Sequence, residues 1–210
     1  MLKNRNMYSL FLVVCFMGFM LMGCSTESQI APADLTRGQQ DIVDLLSFPN
    51  SEILLFDFNT TEGYETMEIW LEVYEYGVLT EHLHGLQAGY PEAGPRDGQL
   101  AIIINSENDM RDFHWTFIYS HTTGDSSGVV SSKLDSPTTI GIDSDELLGR
   151  GPAFMYEPAI IRDGEDIILY LAKFTRDGMM STPCIGRFLE QPDWMEEYPY
   201  VHILKTRFSR

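Results

Sequence analysis

Tyr64-Glu-Thr-Met-Glu-Ile-Trp-Leu-Glu-Val-Tyr-Glu-Tyr76 is the stretch that decides the fold class. Met67, Ile69, Leu71 and Val73 alternate with Glu68, Trp70, Glu72 and Tyr74. A period of two sends successive side chains to opposite faces of a strand, so one row is set for a core and the other for water. The same pattern runs outward in both directions. Upstream, Ile53–Phe58 is a short apolar run that a turn closes between Asn59 and Gly63. Downstream, Glu75-Tyr-Gly77 turns the chain into Val78–Gln87, and Leu100–Ile104 is apolar on both faces, as a central strand is. Phe113, Trp115, Phe117 and Tyr119 then alternate with His114, Thr116 and Ile118. Val129–Leu134 and Thr138–Ile142 read as further strands. Ala159–Arg162 and Asp166–Phe174 flank Asp163-Gly164, a pair suited to the positive φ of a two-residue hairpin turn. Trp194–Glu197 reads as a loop or a single helical turn, and Tyr200–Phe208 as a closing strand. About nine or ten strands with no helix beyond three turns predict an all-β fold: an antiparallel β-sandwich, with a β-barrel as the alternative.

Composition narrows the function classes. A chain of 210 residues that is 44% hydrophobic is neither disordered nor low-complexity, and its length suits one globular domain. With 31 acidic against 14 basic side chains the formal charge is -17, and no run of Lys and Arg breaks it. Such a chain repels polyphosphate backbones, so nucleic acid is excluded as a partner.

The N-terminus carries the most specific motif. Met1–Met7 holds Lys3 and Arg5 with no acid, and only Tyr8, Ser9 and Gly18 interrupt the apolar run Tyr8–Met22. These are the two leading regions of a secretory signal. The run is short of the roughly 20 apolar residues that a spanning helix needs. It ends in Leu21-Met22-Gly23-Cys24, which resembles the lipobox of bacterial lipoproteins, with Met22 where Ala or Ser is commoner. The resemblance implies a diacylglyceryl group on the Cys24 thiol and cleavage between Gly23 and Cys24. It also implies acyl chains that hold the protein in the lipid bilayer, at the extracytoplasmic face of the cell membrane. The Tyr74-Glu-Tyr-Gly77 strand end and the all-β pattern further resemble small lipoproteins of low-GC Gram-positive bacteria, a likeness that implies no function.

The expected organisation is a signal peptide over 1–23, a lipidated N-terminus with tether and short helix over 24–48, and a β-sandwich domain over 49–210. Within the middle part, Ser25–Ala33 reads as tether and Asp34–Leu46 as an amphipathic helix docked on the domain and closed by Pro49. Losing the leader removes Lys3, Arg5, Cys15 and five of the 11 Met, which leaves 12 basic against 31 acidic residues. With Cys24 acylated, Cys184 is the one remaining thiol, so no intramolecular disulfide can form.

Candidate chemistry is sparse. His82 and His84 lie two apart on a strand, so both imidazoles share a face and could ligate one metal, with His114, His121 or an acid as third ligand. Surface histidines are the ordinary alternative. Asp143-Ser-Asp145-Glu146 and the group Asp163, Glu165 and Asp166 offer oxygens to calcium, although the spacing fails the EF-hand pattern and turn formation explains them equally. Trp70, Tyr74 and Tyr76, with Glu68 and Glu72 between them, put aromatic planes beside carboxylates, which suits carbohydrate or peptide recognition unless a second layer covers that face. Cys184 needs a neighbouring base to act as a nucleophile, and no nucleophile elbow, P-loop, zinc-protease helix or dinucleotide fingerprint is present. No catalytic residue and no cofactor are therefore assigned. The sequence points to a membrane-anchored, non-catalytic binding or interaction module of the cell envelope, its partner a carbohydrate, peptide or envelope protein. The runner-up is an exported hydrolase or metal-dependent enzyme using His82, His84 and carboxylates.

Overall fold

In a computed structural model, the described residues are 27–47, 51–61, 63–89, 96–107, 112–123, 126–136, 149–176, 182 and 185–210. They form eleven strands and two short helices. The strands are β1 (Gln29–Pro32), β2 (Ser51–Thr60), β3 (Thr66–Glu75), β4 (Val78–Gly89), β5 (Arg96–Glu107) and β6 (Asp112–Thr123), then β7 (Ser126–Ser136), β8 (Gly149–Phe154), β9 (Ala159–Ile160), β10 (Asp166–Thr175) and β11 (Tyr200–Ser209). Helix α1 spans Arg37–Leu46, α2 spans Ile185–Glu190, and a 3-10 turn runs over Pro192–Glu197. One sheet has the order β7-β6-β5-β2-β1-β9 and the other β4-β3-β11-β10-β8. All pairings are antiparallel, and the two sheets face one another as a sandwich rather than closing into a barrel.

The interior follows from the alternation. On β3 the row Met67, Ile69, Leu71 and Val73 enters the main core, and on β6 the row Phe113, Trp115, Phe117 and Tyr119 meets it from the other sheet. Trp115 crosses Tyr170 at 5.6 Å and Phe58 stacks on Tyr119 at 5.5 Å. Each such ring contributes roughly 1.5–3 kcal/mol through burial. Gly98 makes room for one of them, because a Cβ there would stand 2.1 Å from Phe58 Cζ.

Three local expectations change. Residues 29–32 are not tether. Gln29–Pro32 forms β1, paired on one side with β2 and on the other with β9, and Ser28 behind it is buried against Thr61 at 3.1 Å. The sandwich therefore begins some twenty residues before 49. Asp163-Gly164 does turn, with Gly164 at φ +73°, but it joins no hairpin. Ala159–Ile160 pairs with β1, while β10 pairs with β11 and β8, so the turn carries the chain from one sheet to the other. The strand tally rises to eleven, because β1 and the Gly/Pro-containing edge strand β8 carry no alternation to announce them. Thr138–Ile142 lies outside the described residues.

The helix is close to its expected bounds. Thr36 caps it, and Thr36 and Gln39 bond reciprocally, with Thr36 N donating to Gln39 Oε1 at 2.9 Å. None of its residues is buried, and Leu45 is 78% exposed. It leans on the six-stranded sheet instead of sinking into it.

Candidate functional site

The outer face of the six-stranded sheet is built from cross-strand rungs, one residue from each of five neighbouring strands. Register aligns Gln29, Asn59, Asp97, Thr122 and Ser127 in one rung. The next rung holds Ala31, Asp57, Gln99, Ser120 and Val129. All ten line one concavity of about 570 Å³. It spans five strands, about 20 Å at the usual strand separation.

The groove is internally ordered. Gln99 Nε2 donates to Asp57 Oδ1 at 2.8 Å, Gln29 N donates to Asn59 Oδ1 at 3.0 Å, and Thr122 Oγ1 donates to the Asp97 carbonyl at 3.3 Å. Asp97 and Val129 are exposed. Between the two rungs His121 stacks on the core residue Tyr119 at 5.4 Å and lies over Gly128, where a Cβ would come within 2.6 Å of the imidazole. Burial, and then the charge of Arg96, hold the His121 imidazole below its usual pKa, which favours the neutral ring. Among the described residues the lining includes two carboxylates and no Lys or Arg. Amides, hydroxyls and carboxylates together can both donate to and accept from a hydroxyl-rich ligand, while Ala31 and Val129 give its C–H faces an apolar contact.

The face read as an aromatic platform is organised differently. Trp70 is 3% exposed, capped by the Arg207 guanidinium 5.0 Å from the ring centroid and flanked by His82 at 5.9 Å. Its Nε1 donates to Glu72 at 3.0 Å, the Tyr74 hydroxyl donates to the same carboxylate at 2.8 Å, and Lys205 Nζ pairs with it at 2.8 Å. Burial pushes the Glu72 carboxyl up, and bonds from Lys205, Trp70 and Tyr74 outweigh it, leaving the group below its ordinary range. Tyr74 packs into a second core of Ile168, Leu171, Phe188, Met195, Val201 and Ile203, which α2 and the 3-10 turn roof. Only Tyr76 stands open, at the tip of the β3–β4 hairpin with φ 45°. The three aromatic candidates thus make no shared surface, because a second layer and a guanidinium cover two of them.

His82 and His84 do share a face, with ring centroids 4.9 Å apart, and both are exposed. Among the described residues no group of three His, Cys, Asp or Glu converges on a point that could hold a metal. Glu72, the register partner of His82, is occupied by its three donors. Around the turn at Asp163, each acid has its own partner: Asp163 accepts from Arg210 N at 3.0 Å, Glu165 pairs with Arg162 at 3.1 Å, and Asp166 accepts from Arg207 Nε at 2.8 Å. Cys24, Asp143–Glu146 and Cys184 lie outside the described residues.

A polar cluster that the sequence did not announce is buried inside the sandwich. Arg150 on β8 pairs with Glu52 and donates through Nε to the Tyr170 hydroxyl at 3.1 Å, while its guanidinium lies 5.2 Å from the Phe113 ring. His202 is 1% exposed between Phe174 at 4.7 Å and Phe113 at 5.5 Å, and its Nε2 has no partner among the described residues. Burial, reinforced by Arg150, pushes its pKa down to about 3, so it is a neutral imidazole. Inward-facing positions of the same strand hold Leu204 and Phe208, which is why the pattern reads simply as core.

Fold and groove together define a two-sheet β-sandwich with a polar concave outer face. A family model for the YgaN domain matches residues 29–184. The chain belongs to the YgaN domain family. The match opens on the first residue of β1, and both polar rungs fall within it. No curated protein and no solved structure matches the chain.

Proposed function

We propose that this chain is a lipid-anchored, extracytoplasmic binding module of the cell envelope and that its groove holds a saccharide. The observation that carries the reading is the position of β1. Gln29 and Ala31 supply one side of the groove, and Gln29 is only five residues after Cys24, the residue that resembles an acylation site. Five extended residues reach at most about 18 Å, so acyl chains on Cys24 hold the groove close to the bilayer surface. Two chains give a stable anchor where one does not. Charge agrees with a neutral ligand, since the groove has two carboxylates and the chain carries -17 overall.

The test has two parts. Replacing Cys24→Ser is expected to move the protein from the membrane fraction to the soluble one and to abolish N-terminal acylation by mass spectrometry; a Cys24→Ser protein that stays in the membrane fraction overturns the anchor. Saturation-transfer NMR with methyl β-D-maltoside is expected to show binding that Asp97→Asn and Gln99→Ala remove. A spectrum without transfer to the sugar overturns the groove.

A further inference from the structure

The outer face of the six-stranded sheet changes character along its strands. Beyond the two polar rungs, register aligns Leu55, Ala101 and Ile118, and beyond those Ile53 with Ile103. All five are half-buried and point away from the core. Helix α1 stands over the boundary. Leu35, Ile42 and Val43 enclose with Leu55 a slot of about 200 Å³, and Gln99, held by Asp57, lines both this slot and the polar groove. The slot and the groove adjoin at Gln99, with the polar rungs of Asp97 and Asp57 on one side and aliphatic side chains under α1 on the other. Ile42 at the slot's rim is 58% exposed, so the aliphatic section is open at its edge rather than sealed.

We infer that the natural ligand is an amphiphile, with an uncharged or cationic hydroxyl-rich headgroup in the two polar rungs and an aliphatic chain running beneath α1 over Leu55. The inference rests on the groove reading above and adds the apolar half. Each part has its own cause. Two carboxylates in a lining that, among the described residues, holds no Lys or Arg disfavour sulfate or phosphate headgroups. A chain in the slot takes its methylenes out of water, and two or more methylenes so buried are worth about tenfold or more in affinity.

The experiment compares n-octyl β-D-maltoside, methyl β-D-maltoside and octyl sulfate with the full-length acylated protein in lipid nanodiscs, by ligand-observed NMR below the micelle concentration. The expected result is octyl maltoside binding at least about tenfold tighter than methyl maltoside, with octyl sulfate not binding. Val43→Trp, which fills the slot, and Ala101→Glu, which puts a charge on the aliphatic rung, are each expected to erase the tenfold gain while methyl maltoside still binds. Both changes lie on half-exposed positions outside the core. Equal affinities of the two maltosides overturn the amphiphile and leave the saccharide groove standing. Absence of binding by either maltoside overturns both. Octyl sulfate binding as tightly as octyl maltoside overturns the charge argument. A detergent-free dimer that Ala101→Glu makes monomeric identifies the aliphatic rungs as a self-association face and also overturns the inference.

Discussion

On the outside of the six-stranded sheet, two rungs of polar side chains stand in an open groove; on the outside of the five-stranded sheet, the row Trp70, Glu72 and Tyr74 is pinned under Arg207 and beside the roof of α2 and the 3-10 turn. What separates them is chain that arrives later. Residues 185–209 supply the roof of the second core, the lysine that neutralises Glu72 and the guanidinium over Trp70. Among the described residues the outer face of the six-stranded sheet receives only α1, none of whose residues is buried. The covered face has become a second core, whereas among the described residues the other presents its polar side chains in an open groove.

Substitutions test that contrast, from the strongest effect downward. Glu72→Ala strands three donors in a nearly closed layer, and we expect a loss of about 3 kcal/mol in denaturant unfolding. A loss under about 0.5 kcal/mol, the range for surface sites, would show that the face is as open as the groove.

Acid comes next. His202 has a folded pKa of about 3 against an ordinary 6.5, so between these values the unfolded chain binds a proton that the folded one refuses. Stability from this group is complete above pH 6.5 and declines as pH falls toward 3, by up to about 1.4 kcal/mol per pH unit. Glu72, lowered from 4.5, adds to the decline below pH 4.5; Glu52, raised from 4.5 mainly by burial, has the opposite sign just above it. His202→Phe should reduce the slope between pH 6.5 and 4.5 to the part that His121, also held below 6.5, supplies, and an unchanged slope would remove His202 as a source.

The smallest effect is expected in the groove. Asp97→Asn should leave unfolding within about 0.5 kcal/mol of the parent while saccharide binding is lost. A large destabilisation by Asp97→Asn would instead make the groove a structural feature like its counterpart.

The strands most legible in the sequence were those whose alternation reports one buried face. Met67–Val73 and Phe113–Tyr119 read correctly because apolar side chains at every second position have no other economical arrangement. β1 was illegible: Gln-Ile-Ala-Pro offers one core residue, Ile30, and its pairing with β2 and β9 is fixed by partners about 30 and 130 residues away. Asp163-Gly164 announces its turn but not the partners of the flanking strands, since turn chemistry says nothing about which sheet the next strand joins. The groove could not be seen at all. Its rungs draw single polar residues from five strands, each of which merely looks solvated until register lines them up. For Trp70 and Tyr74, cover from residues more than 110 positions downstream overrode a surface pattern that was real within its own strand.

β1 has one more consequence, a mechanical one. It lies lengthwise in the sheet with ladder bonds to β2 along its whole length and to β9 at its start. A pull on the chain ahead of Gln29 along the strand axis loads these bonds together in shear instead of opening them one after another like a zip. Tension arriving from the N-terminal side would be spread across the sheet before it could peel anything away.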